Sequence, residues 1–213
     1  VGYDETYAAS AAVFGDEPDR LLVDHLGLLD RKSRVLDVGA GQGRHALFLA
    51  GEGFGVDALE PSAVGAAQIA AKAEAAGLSV RVVPGRFEDL PREAAYGTVL
   101  VMGLIPDLRE DQIAGLLGHA RSWLLPGGLL FVTGFTTEDP SFGTWRTRRK
   151  VGIASFADES GRVRTFLEPG AILSLATGFE PVFHRDGLGP WHRHGGGPPE
   201  RHARFEAILR RSR

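Results

Sequence analysis

The run Asp37-Val-Gly39-Ala-Gly41-Gln-Gly43-Arg44 closes one apolar segment and opens another. Glycines in such a place let the backbone turn sharply and lie close against a ligand. In an α/β fold that place is the carboxyl edge of the sheet, where ligands bind. The spacing departs from that of a dinucleotide loop. There, glycines at the first, third and sixth positions let helix and strand pack tightly over a pyrophosphate. Here the sixth position is Arg44, and the third glycine comes one residue early, at Gly43. Asp37, just ahead of the loop, would repel a pyrophosphate and attract an amino group. A second acid, Glu60, ends the next apolar segment and can accept hydrogen bonds from both hydroxyls of a ribose. A ribose, a cationic amino-acid part and no phosphate together describe S-adenosylmethionine.

Groups so placed need a scaffold that alternates strand and helix, and the chain reads that way. Strand-like apolar runs fall at residues 34–38, 54–59, 79–83, 97–102 and 129–134. Helical patterns lie between them at 43–52, from 63 to about 76, and at 109–125. Ser62 can cap the second and Gly77 stops it. Pro126-Gly-Gly128 reads as a turn. Buried strands alternating with helices imply right-handed crossovers and a mostly parallel sheet covered on both faces. After residue 134 the pattern changes. Residues 135–167 read as a polar excursion with Arg146, Arg148, Arg149 and Lys150, and with a hairpin at Ser160-Gly161. A helix is predicted over 168–176, and late strands over 179–185 and 202–209. A second excursion, 187–199, is rich in Gly, Pro and His. No internal repeat and no linker divides the chain, so 1–213 is expected to be one domain.

Composition bounds the rest. The chain has 213 residues with 43% hydrophobic and 24% charged, ordinary globular usage. No apolar run approaches the ~20 residues of a membrane span, and no basic-then-apolar secretory segment opens the chain, so a cytoplasmic location is expected. Cysteine is absent, which excludes disulfides, Cys-ligated zinc and thiolate catalysis. The net charge of −3 gives no global attraction for nucleic acid. The C-terminal stretch is nonetheless locally basic. From His184 onward there are seven Arg against one Asp and two Glu, with four of the seven His. This suggests either a solvated face or a basic wall beside a site.

The residues quoted above, with their continuation to Ala50, resemble the first motif of the class I S-adenosylmethionine-dependent methyltransferases. Asp57-Ala-Leu-Glu60-Pro61-Ser62 is similar to the second motif, and Leu125-Pro-Gly-Gly-Leu-Leu-Phe131 to the family's turn and fifth strand. Within the family the chain looks closest to the tellurite-resistance methyltransferases. Tyr3-Asp-Glu-Thr-Tyr7 and Phe14-Gly15 resemble their N-terminal cofactor cover, placed at residues 1–17. His192-Arg193 and Arg201-His202-Ala-Arg204 resemble their basic C-terminal stretch.

The resemblance implies a Rossmann-like seven-stranded sheet, mostly parallel, with helices on both faces and a C-terminal antiparallel strand. It implies that Gly39, Gly41 and Gly43 line the methionine part of the cofactor, with Asp37 near its amino group. Glu60, Pro61 and Ser62 would hold the ribose, and Arg86, Phe87 and Glu88 would sit beside the adenine. Many members carry an acid where this chain has Arg86, so Glu88 or Asp89 would have to serve the adenine amino group. Gly103 and Leu104 would flank the cofactor and face the substrate. The Asn/Asp-Pro-Pro-Tyr/Phe motif of amino-group methylation in nucleic acids is missing; Gly103-Leu-Ile-Pro-Asp107 stands in its place.

Methyl transfer from a sulfonium needs the nucleophile in line and water excluded. A thiol, a selenol or an oxyanion needs no strong base, whereas a neutral hydroxyl does, and histidine suits near pH 7. The candidates are His192, His194 and His202, with Tyr7 as a hydrogen-bond donor under the cover. Arg193 and Arg204 could meet an acidic substrate, and Trp145 and Trp191 could wall one. His192, His194 and His202 could also be read as metal ligands; without a carboxylate in the pattern, no metal is assigned. The expectation is a methyltransferase for a small-molecule acceptor, a monomer or homodimer engaging neither nucleic acid nor membrane. A cofactor-binding module without turnover and an NAD-dependent oxidoreductase are the alternatives.

Overall fold

The computed structural model describes residues 3–191 and 199–212. Two short helices open it, α1 (Asp4–Ala8) and α2 (Arg20–Asp24), the second capped by the Asp19 carboxylate on Leu21 N. Then β1 (Arg34–Val38), α3 (Arg44–Gly51), β2 (Val56–Glu60), α4 (Ala63–Ala75), β3 (Val80–Pro84), β4 (Tyr96–Met102), α5 (Glu110–Trp123) and β5 (Leu124–Thr136) follow. The near-continuous apolar runs of β1, β2 and β4 are buried because helices cover both faces. Ser62 caps α4 as expected, its hydroxyl accepting from Gly65 N at 3.0 Å.

Strands β3, β2, β1, β4 and β5 lie side by side in that order, all parallel. The chain winds outward from β1 to β3 and then returns to the other side of β1 with β4. The reversal between β1 and β4 opens a crevice at their carboxyl ends, and the glycine loop leaves β1 there. Beyond β5 the sheet turns antiparallel. β10 (Ala203–Arg211) pairs with β5 from Arg204 opposite Phe135 to Arg210 opposite Leu129, and β9 (Phe179–Leu188) pairs with β10 on the outside. These seven strands, with one antiparallel to its neighbours, are the expected sheet. One apolar layer lies under α5 and another under α2, α3 and α4.

Three expectations need correction. Pro126-Gly-Gly128 is a bulge within β5, not a turn before it, because pairing with β4 starts at Leu124, breaks, and resumes at Leu129. A side chain on Gly128 would meet the Leu125 and Gly97 carbonyls at 2.9 and 3.0 Å. The excursion 135–167 is not merely polar. It holds α6 (Phe142–Trp145) and a small meander of β6 (Arg149–Lys150), β7 (Ser155–Ala157) and β8 (Val163–Leu167), turned at Ser160-Gly161. β8 joins the tip of β5, Phe166 beside Phe135. Phe142 packs edge-on to Phe156 and Phe166 at 6.0 and 5.3 Å. These apolar contacts join segments too short for any periodicity to show. The helix read over 168–176 shrinks to α7 (Ala171–Leu175), which starts after a left-handed Gly170.

Candidate functional site

The site is built on the crevice at the ends of β1 and β4. Gly41 and Gly43 both have positive φ, +60° and +88°. At Gly41 a Cβ would sit 3.0 Å from the Tyr7 hydroxyl, and at Gly43 it would sit 2.9 Å from Ile69 Cγ1. The early third glycine is therefore required by the contact between the α3 N-terminus and α4. Gly43→Ala is expected to cost about 1–3 kcal/mol from backbone strain and overpacking together, read as a lowered urea midpoint at unchanged slope.

Asp37 is wholly buried, and its Oδ2 has no hydrogen-bond partner among the described residues. Burial pushes its carboxyl up to about 7; the Arg44 charge and the Ala46 amide pull it down, and the Glu60 charge adds to the rise. Across the loop, Glu60 Oε2 accepts from Gly41 N at 2.7 Å and Oε1 from Ser62 N at 2.8 Å. Burial raises this carboxyl too, and those two amides oppose the rise. Each oxygen keeps a second lone pair for a ribose hydroxyl. A buried acid with one oxygen unpartnered among the described residues, a glycine loop beside it and a second acid held by backbone amides fit S-adenosylmethionine. Asp37 would meet its amino group, the glycines its chain and Glu60 its ribose.

Residues 3–14 pack against the glycine loop, the start of α4 and Asp107. Tyr3 Oη donates to Asp107 at 2.5 Å and stacks on Tyr7, centroids 5.3 Å apart. Asp4 accepts from Ser62 Oγ at 2.5 Å. Gln42 ties Ser10 and Val13 down, and Arg44 donates to the Phe14 carbonyl at 3.1 Å. Tyr7 is buried against Gly41 and Gly65. Burial and the Glu60 charge raise its phenol, so the hydroxyl keeps its proton.

On the β4 side, Gly103 N donates to Thr133 Oγ1 at 3.0 Å, and the Leu104 side chain lies over Gly39. Asp107 also takes an ion pair from Arg164, whose guanidinium lies 5.8 Å from the Phe135 ring. His202 also stacks on Phe135, centroids 4.3 Å apart, and its Nδ1 is 2.9 Å from Asp139 Oδ2. Thus Tyr3, Asp107, Arg164, Phe135, His202 and Asp139 form one wall past the carboxyl ends of β4 and β5. Of these residues, the sequence reading singled out only His202 for chemistry.

The remaining predicted residues fall elsewhere. Phe87 is buried edge-on to His119 at 5.7 Å; Arg86 and Glu88 are exposed and pair with each other at 3.5 Å. Pro61 is exposed beside buried Ser62. Trp145 is half-buried at the end of α6, and Trp191 is exposed with Arg201 over its ring at 5.1 Å. His192, Arg193 and His194 lie outside the described residues.

Arg204 has a different task from the one expected. It grips Asp19 with both nitrogens, at 2.7 and 3.1 Å, and also pairs with Glu206. Its guanidinium is spent on bracing α2 against β10. Among the described residues no cluster of three or more His, Asp or Glu could hold a metal ion.

Comparison with known proteins agrees with this geometry. A family model described as a methyltransferase domain matches residues 35–128. A tRNA U34 carboxymethyltransferase of Methylococcus capsulatus is 36% identical over 110 residues, which are 49% of this chain and 33% of that protein. The chain thus spans about a third of that relative's length. TehB from Haemophilus influenzae superposes with a TM-score of 0.68 at 18% identity, over 99% of this chain and 66% of that one. The 1,6-didemethyltoxoflavin-N1-methyltransferase of Burkholderia thailandensis, solved with that compound and S-adenosylhomocysteine bound, gives 0.67 at 20% identity, over 98% and 82%. Residues 35–128 thus match the model of a methyltransferase domain, and the described residues share the fold of these solved structures.

Proposed function

We propose that the protein transfers the methyl group of S-adenosylmethionine to a small-molecule acceptor. The observation that carries this is the buried Asp37 oxygen without a partner beside a glycine loop whose far side is held by Glu60. The donor, when bound, supplies a methyl carbon on a sulfonium that leaves as a neutral thioether. The chain's residues hold it and exclude water. Asp37 faces its ammonium, Glu60 its ribose, and Tyr3 and Tyr7 close the mouth. The small-molecule part is supported by the acceptor in the Burkholderia structure of like fold. No helix among the described residues is long and apolar enough to cross a membrane.

Calorimetry with S-adenosylhomocysteine, with NAD in parallel, tests the reading. One-site binding of the first alone is expected; binding of NAD alone would sink it. The M. capsulatus relative's substrate supplies the competing reading, a tRNA acceptor. That reading predicts RNA binding that weakens steeply with salt.

Binding should also depend on pH. In the ligand-free protein the Asp37 carboxyl is raised to about 7. An acid raised in the folded state adds stability below its unfolded pKa, and this is lost as pH rises through the folded value. Ionised Asp37 is thus a cost at neutral pH, which a bound ammonium offsets. Affinity for S-adenosylhomocysteine is expected to rise between pH 6 and 8, by up to about tenfold per unit below the titration midpoint, with proton release visible in buffers of different ionisation enthalpy. Asp37→Asn should flatten the profile; an unchanged slope in that variant would assign the proton elsewhere.

A further inference from the structure

Arg44 is the charged group at the glycine loop that the contacts above leave unanswered. It is the first residue of α3, directly after Gly43, and part of its surface stays accessible. A guanidinium carries five N–H donors and keeps its charge in proteins. Arg44 Nη1 donates to the Phe14 carbonyl, in the N-terminal strap of residues 3–14, at 3.1 Å. Among the described residues the group makes no other hydrogen bond and no ion pair. The acids around it do not neutralise it by contact. Asp19 is taken up by two nitrogens of Arg204 and by Leu21 N. Asp37 acts on it through space, each charge favouring the ionised form of the other, yet no hydrogen bond joins the two among the described residues. Burial lowers the Arg44 pKa and outweighs that attraction.

Asp37 is in the complementary condition, fully buried with Oδ2 unpartnered among the described residues. An unpaired carboxylate oxygen thus stands at the end of β1 and an underused guanidinium at the start of α3, with only residues 38–43 between them. One bond to a carbonyl does not require a guanidinium; water would satisfy that oxygen. Two opposite charges flanking one loop are complementary to a group that carries an ammonium and a carboxylate on the same carbon. The argument that gives Asp37 the ammonium therefore gives Arg44 the carboxylate, whose two oxygens match the planar fork.

Resting on the methyltransferase reading above, we propose that Arg44 binds the α-carboxylate at the amino-acid end of S-adenosylmethionine, so that the loop reads a zwitterion and not only an amine. The sixth position of the loop, where a dinucleotide site carries glycine, is then a ligand-binding position.

Two ligands that differ only in the carboxylate test this by calorimetry. They are S-adenosylhomocysteine and its decarboxylated analogue, 5′-deoxy-5′-(3-aminopropylthio)adenosine. Both keep the ammonium, the ribose and the adenine. The readout is the ratio of their dissociation constants, because loss of the Arg44 charge also lifts the Asp37 carboxyl and weakens both ligands alike. Wild-type protein is expected to favour S-adenosylhomocysteine by about 10- to 100-fold. Arg44→Met should bring the ratio to within about threefold of unity. Arg44→Lys keeps the charge without the fork and should fall between the two; it carries the test should the methionine variant not fold. If Arg44 only holds the Phe14 carbonyl, the variants weaken both ligands equally and the ratio stays at its wild-type value, which would overturn the proposal. Equal binding of the two ligands by the wild type would overturn it as well, while leaving the cofactor reading in place. A wild type that binds neither ligand would overturn the S-adenosylmethionine reading itself.

Discussion

Glu60→Ala is expected to weaken S-adenosylhomocysteine binding by about 30- to 1000-fold, or roughly 2–4 kcal/mol. The Glu60 carboxylate does two jobs at once. It accepts from Gly41 N and Ser62 N, which holds the glycine loop to the start of α4. It also offers its second lone pairs to the ribose hydroxyls, as charge-assisted bonds in a buried setting. Alanine removes the ribose partner and strands two buried amides. Each stranded donor costs about 1–3 kcal/mol unless water reaches it. The two jobs separate experimentally. Glu60→Gln keeps an acceptor for one amide and should recover part of the stability but little of the affinity. If calorimetry gave a dissociation constant for Glu60→Ala within threefold of wild type, the ribose would not be at Glu60.

Arg204→Met should be the most destabilising change near the site. Asp19 and Glu206 are almost completely buried, and Arg204 holds both. Burial raises the Asp19 carboxyl, but the charge and hydrogen bonds of Arg204 outweigh that and bring it below its ordinary value. Removing one partner of such a cluster leaves uncompensated buried charge, worth about 3–5 kcal/mol. For a chain of this size that is a fall in Tm of about 6–20 °C. Adding Asp19→Asn should restore part of the loss, because the stranded charge is then gone. The pH dependence has a definite sign. A depressed carboxylate gives stability above its unfolded pKa and loses it as pH falls through its folded one, so the penalty should shrink in acid. An Arg204→Met protein of wild-type stability with a raised KM would return this arginine to the substrate.

The wall beyond β5 and the buried cluster under the loop show where sequence reasoning ran out. His202 stood out by residue type, but its partner Asp139 sits in a Thr-Thr-Glu-Asp-Pro stretch that reads as an ordinary polar loop. Asp107 and Arg164 are 57 residues apart, and Arg204 and Asp19 are 185 apart. Neither pair has a spacing that any local periodicity would reveal. Arg204 was expected to meet an acidic substrate, whereas in the fold it meets two acids of its own chain, Asp19 and Glu206.

What one strand-turn-helix unit decides locally was legible in the sequence. Asp37, the three glycines, Glu60 and the Ser62 cap lie within 26 consecutive residues. Their places follow from backbone conformation and from the strand ends that carry them, so position in the chain nearly fixes position in space. That the central strands run parallel followed in the same way, from buried apolar runs alternating with helices. Only the tertiary structure decided which side chains meet across the mouth. That depends on long-range pairing: β10 returning antiparallel beside β5, β8 joining the tip of β5, and the N-terminal strap reaching Asp107. Each brings together residues whose separation along the chain carries no trace of their distance in the fold.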